Sequence, residues 1–81
     1  MRVTVRYFAA AAEAAGREEE ALELPADAVL RDLQTLLVDR YGDLMRRVVE
    51  TGSFLVDRVT RRDPAAPLGA QVDVLPPFAG G

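Results

Sequence analysis

The sequence has 81 residues, 49% of them hydrophobic and 28% charged, which predicts one small globular domain and not a disordered or multidomain chain. It contains no His, no Cys and no Trp, and all ten basic residues are Arg, so disulfides, Cys or His zinc sites, a thiol nucleophile, a Ser-His triad and a Schiff-base lysine are excluded. A net charge of −3 and a pI near 4.8 argue against a nucleic-acid partner, because phosphates are held by surplus positive charge.

Arg2 to Phe8 alternates, with Val3, Val5 and Tyr7 on one face and Arg2, Thr4 and Arg6 on the other, the pattern of a half-buried strand. Ala9 to Ala15 is nearly pure alanine around Glu13 and stops at Gly16, which predicts a short helical turn ended by a residue that tolerates positive φ. Glu18 to Leu24 alternates again, with Leu22 and Leu24 facing in and an acidic start that suits an edge strand. Pro25 closes it, and Asp27 is placed to cap a helix running to Tyr41. Leu30, Leu33, Leu37 and Tyr41, flanked by Val29 and Leu36, recur at three- and four-residue steps and form one apolar stripe.

Gly42 reads as the stop signal, and Asp43 as the cap of a further short helix through Val49, broken by Thr51-Gly52-Ser53. Phe54 to Thr60 is β-rich, with Asp57-Arg58 read as a tight turn. Arg61 to Pro67 is a loop, Gly69 a bend, and Gln71 to Leu75 a last strand ended by Pro76-Pro77, which have no N–H to donate. A helix with one apolar stripe buries it by lying across a small sheet. If the first and last strands pair centrally, the result is an α+β fold of β-grasp (ubiquitin-like) type, a mixed sheet covered by one main helix. Residues 1–81 then form a single domain, with 76–81 as an extended tail.

That tail, Pro76-Pro77-Phe78-Ala79-Gly80-Gly81, carries the chemistry. Two prolines fix φ near −65° and favour an extended exit from the sheet. Phe78 is an aromatic outside any predicted element, suited to anchoring in another protein's pocket. Ala79, Gly80 and Gly81 add almost no side-chain volume, so about 20 Å of slim chain, at roughly 3.3 Å per residue, can thread into a partner's active site. A terminal glycine leaves its α-carboxylate sterically open. Joined to AMP it gains a good leaving group, and an incoming sulfur nucleophile converts it to a thiocarboxylate. Composition supplies no side chain suited to these steps, so the chain is expected to be non-catalytic alone, with its catalysts in partners.

These residues resemble the MoaD/ThiS family of ubiquitin-like sulfur carriers. Val3-Thr4-Val5-Arg6-Tyr7-Phe8-Ala9-Ala10 followed by Gly16, the Leu30-Leu33-Leu37-Tyr41 helix, and the ending Val74 to Gly81 carry the likeness. The Pro-Pro-Phe before the diglycine favours the molybdenum branch of the family over the thiamin branch. The resemblance implies that a MoeB-like adenylyltransferase activates Gly81 with ATP and Mg²⁺, and that a sulfurtransferase then installs sulfur. It implies, further, that the carrier docks on a MoaE-like large subunit as a heterotetramer with two copies of each, donating sulfur to precursor Z in molybdopterin synthesis. No cofactor is expected on the chain itself. Departures from the family pattern are Ala70-Gln71 after Gly69, Asp57 at a hairpin position often held by Asn, and a first helix poor in large apolar and basic residues.

Other readings stay open: a carrier for thiamin or cysteine synthesis, a modifier joining Gly81 to lysines of other proteins, or a non-covalent interaction module. Arg46, Arg47, Arg58, Arg61 and Arg62 are either a local anion-binding face or, as the simpler reading, solvated surface charge. Phe8 is expected to turn inward, with an exposed docking position as the alternative. No stretch approaches the ~20 apolar residues of a membrane span and Met1 to Phe8 does not read as a leader, so a cytoplasmic protein with no membrane association is expected.

Overall fold

The computed structural model describes residues 1–77. Its elements are β1 (Arg2–Tyr7), α1 (Ala10–Ala15), β2 (Glu19–Glu23), α2 (Leu30–Tyr41), α3 (Asp43–Thr51), β3 (Ser53–Val56), β4 (Val59–Arg61) and β5 (Gln71–Leu75). The five strands form one sheet in the order β2-β1-β5-β3-β4. β1 and β5 run parallel, with Val5 beside Val72 and Tyr7 beside Val74; every other pair is antiparallel. First and last strands are therefore central neighbours, as the β-grasp expectation requires, and the fold is an α+β β-grasp.

Alternation in the strands decides the core. Val3, Val5, Val72 and Val74 are fully buried on one sheet face, and they meet Leu30, Leu33 and Leu37 of α2, equally buried. Each such side chain contributes about 1.5–3 kcal/mol relative to exposure. α3 adds Met45 and Val48 to the same core, so it covers the sheet jointly with α2. The expected single main helix therefore has a second, shorter companion, running two residues past the anticipated Val49.

The start of α2 differs from the sequence expectation. Asp27 is not the cap: Ala26 and Asp27 form a turn closed by the Ala28 N–H on the Pro25 carbonyl, and Val29 stands at the cap position. The Val29 N–H donates to the Asp32 carboxylate at 2.9 Å. The free helical amides are satisfied from far along the chain, Leu30 N–H by the Ala66 carbonyl and Arg31 N–H by the Pro64 carbonyl, at 2.9 and 2.8 Å. The proline-rich loop before β5 thus caps the main helix with its own backbone. Likewise Gly42, with φ +84°, is the cap before α3, and Asp43 sits inside that helix paired with Arg46 at 3.0 Å.

Asp57-Arg58 is the anticipated tight turn. Both residues adopt positive φ, 48° and 70°, which is the right-twisting hairpin geometry usually filled by Asn and Gly. The Asp57 carboxylate offsets that strain by accepting the Gln71 N–H at 3.0 Å. Among the described residues no helix is long and apolar enough to cross a membrane.

Candidate functional site

The C-terminal strand sets the root of the tail. β5 is the middle strand of the sheet, so its direction is fixed on both sides: the Phe8 N–H donates to the Val74 carbonyl at 3.1 Å, and Ser53 of β3 is in register with Leu75. Gly52 makes this junction possible. A Cβ there would stand 2.1 Å from the Leu75 carbonyl oxygen and 2.7 Å from that of Val48, so only glycine lets the α3–β3 connection pass so close to the end of β5. Pro76 follows half-buried and Pro77 exposed, and neither can extend the strand pairing.

A groove of about 330 Å³ opens at this exit. α1 contributes Ala10 and Glu13, α3 contributes Leu44, Arg47, Val48 and Thr51, and Pro76 and Pro77 complete the wall. Pro76 and Pro77, named from the sequence as partner-binding residues, follow the end of β5 and form part of this wall. Phe78, Ala79, Gly80 and Gly81, named from the sequence as partner-binding and carrier residues, lie outside the described residues.

The arginine cluster does not converge. Arg47 lines the tail groove, Arg61 and Arg62 line a separate polar pocket with Gln34, Glu50, Ser53 and Thr60, and Arg46 faces Asp43 on the surface of α3. Arg46 and Arg47 belong to α3, whereas Arg61 ends β4 and Arg62 follows it. Phe8 does not turn inward: it is half-buried, with the Arg6 guanidinium 5.2 Å from its ring centre, a cation–π contact worth ~0.5–1 kcal/mol at an exposed site. The alternation of β1 carries one residue further than expected, and Ala9 takes up the change of direction with φ 50° and ψ −120°.

Two buried carboxylates escaped the sequence reading. Asp73, 9% exposed in the centre of β5, accepts from the Gln71 side-chain amide at 3.1 Å and faces Arg6 at 3.7 Å. Glu20 of β2 has a side chain only 7% exposed. One of its oxygens accepts both the Tyr7 hydroxyl, at 2.5 Å, and the Tyr41 hydroxyl, while the other faces Arg17 at 3.4 Å. Burial alone pushes the Glu20 carboxyl up, but the two phenol hydrogen bonds and the Arg17 and Arg40 charges outweigh it and hold the group below the usual carboxylate range. Burial and the Glu20 charge push both phenols up. Parity was the available signal: Glu20 shares the inward set with Leu22, opposite Val5. The cluster joins the end of α2 to β1 and β2 and is remote in the chain from the tail.

Among the described residues no group of three or more His, Cys, Asp or Glu side chains could hold a metal ion. No family model and no curated protein matches the sequence. Solved structures do. A Pyrococcus furiosus protein described as a molybdopterin converting factor, subunit 1, is 26% identical over 96% of this chain and 99% of its own, with TM-score 0.77. A Haloferax volcanii protein known from its solution structure is 27% identical over 100% of this chain and 87% of its own, with TM-score 0.83. The small archaeal modifier protein 1 of H. volcanii, 19% identical over 95% of this chain and 98% of its own with TM-score 0.72, shares the fold. These likenesses support the resemblance to ubiquitin-like proteins of the MoaD/ThiS type.

Proposed function

We propose that this ubiquitin-like protein is a sulfur carrier, and that it serves as the small subunit of a molybdopterin synthase. The likeness to a molybdopterin converting factor subunit over nearly the whole of both chains carries this reading. The geometry at the root supports it: the core ends at Leu75, and Pro76-Pro77 lead from the middle of a rigid sheet toward a diglycine.

In this reading Gly81 is the working residue. Its carboxylate attacks the α-phosphorus of ATP on a MoeB-like adenylyltransferase that supplies Mg²⁺, releasing pyrophosphate. The persulfide of a sulfurtransferase then attacks the acyl adenylate and displaces AMP, and a thiol reductant cleaves the acyl disulfide so formed. The resulting thiocarboxylate enters a MoaE-like large subunit and donates sulfur to precursor Z for the molybdopterin dithiolene. Pro76, Pro77, Phe78, Ala79 and Gly80 act as the arm: the prolines stiffen it, Phe78 supplies an apolar anchor, and the small residues pass a narrow entrance. Two carriers and two large subunits form a heterotetramer, and the site of action is the cytoplasm. In this reading the catalysts of these steps belong to the partners, and the chain contributes presentation.

The shared fold of a small archaeal modifier protein favours one rival, attachment of Gly81 to lysines of other proteins. Reconstitution separates the two. With a MoaE-like subunit, an activator, ATP and a sulfur donor, the carrier should convert precursor Z to molybdopterin. Lysine adducts in extracts, lost on deleting Gly81 and unaccompanied by molybdopterin formation, would establish the modifier instead.

A further inference from the structure

The sheet ends in β2 on one side and β4 on the other, and the two edges carry opposite charge. On β2, Glu19, Ala21 and Glu23 are exposed; on β4 all three residues are exposed, Val59 at 51%. Arg58 and Arg62 flank β4, and neither they nor Arg61 forms an ion pair among the described residues, whereas Arg2, Arg6, Arg17 and Arg46 do. Both edges also present unpaired backbone groups. The Tyr7 N–H on the Glu18 carbonyl and the Leu24 N–H on the Met1 carbonyl fix the phase of the β1–β2 ladder, so Glu19, Ala21 and Glu23 aim their N–H and C=O groups away from β1. The two-residue turn at Asp57-Arg58 makes Val56 and Val59 a hydrogen-bonded pair, so Thr60 aims its groups away from β3. None of these four residues finds another backbone partner among the described residues.

We propose that the two edges join: β4 of one copy pairs antiparallel with β2 of a second copy, continuing the sheet from chain to chain. Within one chain β4 and β2 run in opposite senses, so a second copy set alongside in the same orientation, its helices on the same side, offers β2 antiparallel to β4. Thr60, beside Leu55, and Ala21, beside Thr4, both lie on the sheet face away from the buried core, which lets them pair directly. That match fixes the rest. Arg58 stands opposite Glu23, Val59 opposite Leu22, Arg61 opposite Glu20 and Arg62 opposite Glu19, so every arginine meets a carboxylate and the valine meets a leucine. A slip of two residues either way loses this, setting Arg62 against Arg17 or both Arg61 and Arg62 against apolar side chains. The pairing stops after Arg62, where the chain turns to α2 and the Pro64 carbonyl accepts the Arg31 N–H. Like edges cannot substitute, because β2 on β2 or β4 on β4 opposes like charges. The contact is therefore heterologous and runs on to a ring or an open file instead of stopping at two. It uses neither the tail nor the partners of the proposed sulfur carrier, so its failure leaves that reading standing.

Sedimentation of the isolated full-length chain at rising concentration, up to about 1 mM, tests this, since a single short edge contact is weak. In low salt the average mass should climb past that of a dimer. In about 0.5 M NaCl, which screens the exposed charge pairs, association should weaken about tenfold. Hydrogen exchange at the Ala21 and Thr60 amides of the wild-type chain should slow as the chains associate. Two double variants, Arg58→Glu with Arg62→Glu and Glu19→Arg with Glu23→Arg, change only exposed side chains and should fold, as circular dichroism checks. Each alone should stay monomeric, because its two edges then carry the same sign; mixed, each offers what the other lacks, and association should return. A wild-type chain that stays monomeric over this range, or one that stops at a dimer, would overturn the proposal. Association that persists in either double variant alone, or a mixture that restores none, would overturn it equally.

Discussion

Ala9 and Gly52 bracket the root of the tail and carry opposite strains. Ala9 holds φ 50° and ψ −120°, a region that a Cβ makes costly, by roughly 1–3 kcal/mol. Ala9→Gly should therefore raise stability by about 1 kcal/mol, part of the relief being lost to the greater freedom of glycine in the unfolded chain; urea unfolding measures it. Gly52 is the reverse case, since any side chain there meets two backbone carbonyls. Gly52→Ala should cost about 3 kcal/mol in the same experiment, with amide shifts concentrated at Leu75 and Pro76's neighbours. Neither residue could be singled out from the sequence. An alanine at positive φ contradicts its own propensity, and a glycine in Thr51-Gly52-Ser53 reads only as a helix breaker until the strand that crosses it is known.

At the scale of elements, the Tyr7–Glu20–Tyr41 cluster ties β1, β2 and the last turn of α2 together. Tyr41→Phe removes one of the two phenol donors to a buried carboxylate and should cost about 1.5–3 kcal/mol. The pH dependence follows from the directions of the shifts. Glu20 is held below its ordinary range, so its contribution is complete above the unfolded carboxylate value of ~4.3 and is lost as pH falls through the lower folded one. Tyr7 and Tyr41 are pushed up, so their contribution is complete below ~10 and is lost as pH rises beyond the unfolded phenol value. Glu20→Gln should lower stability on the plateau and flatten the acid limb of the Tm profile. Strand and helix existence was legible because periods of two and of three to four are written in side chains such as Val3, Val5, Leu33 and Leu37. The cap of α2 was not, because its partners Pro64 and Ala66 lie more than thirty residues away. Glu20 was missed because an acid on an edge strand has a ready surface explanation, and only the neighbouring Tyr7 and Tyr41 make its burial tolerable.

In the proposed function the whole molecule is a handle for a working end. The core that fixes β5 ends at Leu75, so deleting Gly81, or extending the sequence past it, should leave Tm within about a degree of wild type. The same changes should abolish sulfur transfer. The order of elements and the end of the last strand before Pro76-Pro77 were legible, since proline and glycine punctuate the chain between elements, whereas the central pairing of first and last strands entered only as a condition and its parallel direction came from the fold. The groove beside Pro76-Pro77 was not legible, because Ala10, Leu44 and Pro77 meet only through the fold. The most direct measurement is the intact mass of the protein after incubation with ATP, Mg²⁺, its activating enzyme and a sulfur donor. A sulfur carrier should gain a mass equal to the difference between sulfur and oxygen, located on Gly81 by fragmentation. An unchanged mass with an activator that demonstrably consumes ATP on this chain, or a sulfur found anywhere else, would contradict that role.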